Sequence, residues 1–116
     1  MNRITLALGV ALAALVTAAP VVAQPSAVAA TTVTVTMKEF KFTLSKKTVR
    51  HGTVTFKLVN KGAIAHDFKI AGKKSKLIQP HKTGTLVVTV AKGRWPYKCT
   101  VPGHAAAGMK GFLKVT

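Results

Sequence analysis

From Thr31 onward, apolar residues alternate with polar ones. Val33, Val35 and Met37 form one set and Phe40, Phe42 and Leu44 a second; Val54, Phe56 and Leu58, then Phe68 and Ile70, then Leu86, Val88 and Val90 follow. A period of two puts each set on one face of a β-strand. The parity changes between Met37 and Phe40, so a turn or bulge is expected there if both sets face inward. Arg50-His51-Gly52, Asn60-Lys61-Gly62, Gly72-Lys73-Lys74, His81 to Gly84 and Lys92-Gly93 punctuate the runs as turns. Only His104 to Met109 offers room for a helical turn, and one turn at most. About seven short strands, mostly antiparallel, predict an all-β Greek-key sandwich of two sheets. Pro96 lies within the strand from Trp95 to Cys99 and has no N–H for a ladder, which predicts an edge or bulged position. Trp95, Tyr97 and Cys99 share the inward parity.

The first residues carry a different pattern. Met1-Asn2-Arg3 precedes the apolar stretch Ile4 to Ala19, and Val21-Val22-Ala23 suits a signal peptidase before Gln24. Residues 1–23 are therefore expected to be a signal peptide; Ile4 to Ala23 is also near the ~20 residues of a membrane-spanning anchor, which is the rival reading. Residues 24–30 (QPSAVAA) are small and uncharged and read as a flexible leader, leaving 31–116 as one domain. Export to the periplasm, cell envelope or medium follows, with no span in the mature form.

Composition sharpens this. The chain has 116 residues, enough for one core and too few for a multidomain enzyme. Its 18 Lys and Arg face only Glu39 and Asp67, a net charge of +16. Removing residues 1–23 takes only Arg3. Such a charge suits acidic partners. Nucleic acid is not expected, because the few aromatics have core parity rather than interleaving with the lysines on an open face. A single cysteine, Cys99, rules out an internal disulfide, so an exported chain carries a thiol that needs another purpose.

That purpose is suggested by the tail, which reads Cys99-x4-His104-x4-Met109 on one loop between two strands. A second histidine, His66, opens the strand bearing Phe68 and Ile70 on the same inward parity. One thiolate, two imidazoles and one thioether are the donors of a type 1 copper site, a His2Cys plane with a weak axial Met. The thiolate is soft and anionic, the imidazoles suit both oxidation states, and the thioether binds too weakly to enforce the tetragonal geometry of Cu(II). Zn(II) could use Cys99, His66 and His104 but gains little from a thioether. Taken singly, Cys99 could be an inert core thiol, His66 a strand-end histidine and Met109 plain packing; their order and spacing give them a joint meaning. His51 and His81 lie in turns and are expected to be solvated.

The segment from Tyr97-Lys98-Cys99 to Gly108-Met109-Lys110-Gly111, with Asn60-Lys61-Gly62 and His66-Asp67-Phe68 upstream, resembles the small cupredoxins, the plastocyanin, azurin and rusticyanin group. The resemblance covers roughly Thr31 to Thr116, and the two four-residue gaps are similar to those of rusticyanin. It implies one copper ion held by His66, Cys99, His104 and Met109, with Asn60 placed to brace the thiolate or to shape its turn. It also implies a monomeric one-electron carrier without bond chemistry of its own, working with acidic redox proteins such as cytochromes or a terminal oxidase. Two positions depart from the family. Asp67 stands where an Asn is common; its parity turns it away from His66, and its charge should favour the oxidised site. Lys98 stands where plastocyanin carries an exposed tyrosine, so electrons are expected to pass by one route, through His104. The small, mostly apolar residues Pro102, Gly103, Ala105 and Ala106, with Ile64 before His66, form the expected docking patch. The alternatives are an envelope copper carrier or storage protein and a metal-free basic secreted binding domain.

Overall fold

The computed structural model of the chain describes residue 7, residues 9–21 and residues 30–116. The expected signal peptide lies partly, and the expected leader almost wholly, outside the described residues. Residues 9–21 form neither helix nor strand. Among the described residues no helix is long and apolar enough to cross a membrane.

The described residues form nine strands: β1 Thr31–Lys38, β2 Lys41–Leu44, β3 Thr48–Val49, β4 Gly52–Asn60, β5 Lys69–Ile70, β6 Lys73–Lys74, β7 Thr83–Val90, β8 Gly93–Lys98 and β9 Lys110–Val115. They form a four-stranded sheet in the order β2-β1-β4-β7 and a five-stranded sheet in the order β3-β9-β8-β5-β6. The architecture is the expected all-β sandwich. The strand count exceeds the expected seven by two because β3 and β6 are only two residues long, too short for periodicity to reveal. Five pairings are antiparallel, while β1–β4 and β3–β9 are parallel.

The alternation does its work as expected in β1, β4 and β7: Val33, Val35, Met37, Val54, Phe56, Leu58, Val88 and Val90 are buried between the sheets. Phe40 is the exception. The parity change falls on a turn at Glu39 and Phe40, so Phe40 leaves the inward set and is 41% exposed, while Phe42 and Leu44 resume the buried face in β2. Pro96 is tolerated because β5 ends at Ile70, opposite Tyr97; from Pro96 back to Gly93, β8 has a neighbour only on the β9 side.

An aromatic cluster ties the sheets together and aims the residues that matter. Phe68 packs against Phe56, Phe42 and Tyr97 with ring centroids 5.1, 5.3 and 5.4 Å away. Phe68 lies two residues after His66 and Tyr97 two before Cys99, on the same faces. The core thereby fixes the direction of both chains as they reach the end of the sandwich.

Candidate metal centre

His66, Cys99 and His104 meet at that end, all three buried, with one ligand atom from each lying within 4.8 Å of the others. His66 Nδ1 faces His104 Nδ1 at 3.1 Å, and Cys99 Sγ lies 3.6 Å from His104 Nδ1. Both imidazoles thus turn the same nitrogen inward.

Local backbone structure explains the convergence. His66 forms a bridge with Ile78, its N–H donating to the Ile78 carbonyl and the Ile78 N–H donating back. Cys99 follows β8 directly. Its N–H donates to the Met109 carbonyl at 3.0 Å, and the Met109 N–H donates to the His104 carbonyl at 3.1 Å. The loop from Cys99 to Met109 therefore closes on itself, with Ala107 N–H donating to the Gly103 carbonyl as its single helical turn. Met109 is fully buried beside the cluster's backbone. Phe40 stacks edge-on against His104 at 5.1 Å, which accounts for where its ring goes after leaving the core.

Hydrogen bonds around the cluster come from three side chains. Asn60 is buried, and its Nδ2 donates to the carbonyls of Ile64 and Ile78, each at 2.8 Å, while its Oδ1 accepts from the Gly62 N–H at 2.8 Å. Both amide hydrogens are committed, so Asn60 shapes the loop before His66 and has no side-chain donor left for the thiolate. Asp67 is buried and accepts from the Thr100 N–H at 2.6 Å and from the Thr100 hydroxyl, pinning the residue after Cys99. Its side chain does turn away from His66, as its parity predicts.

Glu39 is the residue that sequence reasoning missed. Its Oε1 accepts from the N–H groups of Ala63 and Ile64, at 2.8 and 2.9 Å, and from His66 Nε2 at 3.2 Å. The carboxyl is held down from 4.5 to about 2, chiefly by its own backbone amide and that of Ile64, with Ala63 and His66 adding to the effect. Its nearest signal in the sequence was scarcity, as one of two acids in a basic chain. Burial pushes the Cys99 thiol up, while the backbone amides of Asp67 and Val101 pull it the other way. Pro102, Gly103 and Ala106 are exposed, Ala105 is half-buried and Ile64 is 42% exposed, around a His104 that is 8% exposed.

A thiol that becomes a thiolate on binding metal and two imidazoles, buried together with a thioether-bearing residue on the same loop, suit a soft metal that cycles by one electron. Hard cations, which want oxygen donors, are not served here. The fold and these donors define a small metal-binding β-sandwich. A family profile described as a cupredoxin-like domain matches residues 5–113, and the chain belongs to that family. No curated protein matches the chain. Among solved structures it is similar to auracyanin from Roseiflexus castenholzii, in a dithionite-reduced form, at 24% identity and TM-score 0.65, covering 75% of this chain and 98% of that one. It is similar to auracyanin A, a "blue" copper protein from Chloroflexus aurantiacus, at 27% identity and TM-score 0.63, covering 73% and 98%. Auracyanin B aligns at 21% identity and TM-score 0.65, covering 75% and 89%.

Proposed function

We propose that this chain is an exported type 1 copper protein that carries single electrons between redox partners. His66, Cys99 and His104 would supply the three strong donors to the copper ion and Met109 a weak fourth. The observation that carries the reading is the convergence of one thiol and two inward-facing Nδ1 atoms in a buried cluster. A copper ion held by such a set would supply one-electron chemistry.

The chain's own residues do the rest. The closed loop and the His66–Ile78 bridge hold the donors at fixed spacing, which keeps reorganisation small. Phe40 and the packed core keep water from the cluster, while the small residues around His104 let a partner approach closely. Burial favours a carrier over a storage site, which needs an open route for metal exchange. Residues 1–23 serve as the export signal and 24–30 as the leader of a monomeric domain, and the activity involves no bond chemistry. The visible spectrum of the purified protein with Cu(II) tests the reading. An intense band that vanishes in Cys99→Ser supports it, because the absorption is charge transfer from sulfur. A colourless protein, or colour retained in Cys99→Ser, refutes it.

A further inference from the structure

The two outer faces of the sandwich differ in charge. On the four-stranded sheet, cross-strand neighbours are mostly uncharged: Thr32 opposes Thr55, Thr36 opposes Thr43 and Val59, and Thr53 opposes Thr89; Lys57 lies between Thr34 and Thr85, and one lysine pair, Lys38 opposite Lys41, sits at the β1–β2 end. On the five-stranded sheet the register lines up Lys110, Lys98, Lys69 and Lys74 across β9, β8, β5 and β6, all exposed. At a strand spacing of ~4.8 Å this row spans roughly 14 Å. Like charges set directly opposite one another destabilise a sheet. A second row pairs Arg94 with Lys114, and between the two rows Pro96 pairs with Phe112, which is 54% exposed and lies under the Arg94 guanidinium at 3.9 Å. A groove of about 650 Å³ opens here, where β5 stops short of covering β8.

We infer that this face is a docking surface for an acidic protein partner, whose carboxylates pair with the lysine row and whose apolar side chain enters the groove beside Phe112. Lys98 adjoins Cys99, so a partner seated here lies beside the metal centre while the loop around His104 stays open to it. The sequence had suggested one route through His104, because Lys98 stands where plastocyanin carries an exposed tyrosine; the register sets Lys98 inside a row of lysines. The choice of a protein rests on the electron-carrier reading, but the surface itself is tested without metal.

The test is binding of poly-L-glutamate to the full metal-free protein at low salt, with amide chemical shifts mapping the contact. Lys98→Glu should weaken binding roughly tenfold, and Lys57→Glu on the opposite face, with the same change in net charge, less than about twofold. Perturbed shifts should cluster at Lys69, Lys98, Lys110 and Phe112. Equal losses in the two variants would reduce the effect to net charge and overturn the assignment. So would binding to phosphatidylglycerol vesicles through the same lysines without binding to poly-L-glutamate. Loss of copper colour would refute the carrier reading and leave these measurements standing.

A different observation supports a second inference. Glu39 reaches from the β1–β2 turn to the His66 ring and to two amides of the loop before it. The geometry assigns Glu39 as a positioning residue: accepting from Nε2–H fixes the tautomer whose Nδ1 lone pair faces Cys99 and His104, and its charge favours the oxidised centre. This rests on the copper reading for its second half only. In the metal-free protein, ring ¹⁵N shifts of His66 should show one tautomer in the wild type and in Glu39→Gln, which keeps the acceptor, and a mixture in Glu39→Ala. In the copper form, Glu39→Gln should shift the ratio of Cu(II) to Cu(I) affinity by about tenfold, equal to ~59 mV of higher potential. Unchanged tautomers in Glu39→Ala, or an unchanged potential in Glu39→Gln, would overturn the assignment.

Discussion

Replacing Asn60 with Ala tests how the loop before His66 is held. The substitution removes three hydrogen bonds and leaves the Ile64 carbonyl and the Gly62 N–H without a partner, while the Ile78 carbonyl keeps the His66 N–H. A neutral hydrogen bond contributes about 1 kcal/mol, and a buried group left unpaired costs ~1–3 kcal/mol. Two of the three bonds are fully buried, whereas the one to Ile64 is partly so and can recover water. The expected loss is therefore about 3 kcal/mol, which for a domain of this size is a melting point lower by roughly 12–24 °C. Urea unfolding of the metal-free protein measures it directly. Asn60→Asp keeps the acceptor for Gly62 but turns a carboxylate toward two carbonyls, so it should be at least as damaging. A loss under about 1 kcal/mol in Asn60→Ala, or near-native stability in Asn60→Asp, would refute the assignment. If Asn60 instead braced the thiolate, the copper-loaded variant would change colour while the metal-free protein kept its stability.

Two further outcomes concern the centre and its exposed end. Met109→Leu should keep copper bound and raise the reduction potential, by ~59 mV for each tenfold loss in relative Cu(II) affinity; cyclic voltammetry reads it, and an unchanged potential means that Met109 serves packing alone. Ala106→Glu places a carboxylate on the exposed loop, which should slow electron exchange roughly tenfold through desolvation cost while the visible spectrum stays the same; stopped-flow rates equal to wild type would move the approach surface elsewhere.

How much of this was legible in the sequence follows from the range of the interactions involved. The strands β1, β4 and β7 could be read because each carries enough alternating positions to define a face within its own length. Three of the four proposed donors could be read because they share one loop, where spacing in sequence translates into spacing in space. His66 was found through parity, since Phe68 fixes which way it points. Phe40 was misplaced because the alternation continues through a turn whose position is set by how β1 and β2 pair. Glu39 was not legible at all: its partners lie 24 to 27 residues away, and only the parallel pairing of β1 with β4 brings that turn beneath the loop. The lysine row was equally hidden, because it exists only in the register of four strands from distant parts of the chain.

The placement of charge leads to one last expectation. The chain's two carboxylates, Glu39 and Asp67, both adjoin the donor cluster, one against His66 and the other against Thr100 beside Cys99. In a chain of net charge +16 this is where a bound cation most needs compensation. Asp67 is buried, so salt screens its pull on that cation little, whereas Glu39 is partly exposed and acts through its direct contact with His66. The lysines of the five-stranded sheet are exposed, so their pull on a partner acts through solvent. Between 0.01 M and 0.15 M salt the Debye length falls from ~30 Å to ~8 Å. Raising salt over that range should therefore lower the rate constant for electron transfer to an acidic partner while leaving copper affinity nearly constant. Stopped-flow kinetics and competitive copper titrations at matched salt separate the two. If both fall together, the lysine field acts on the metal as well as the partner; if the rate rises or stays flat, steering by that face is refuted.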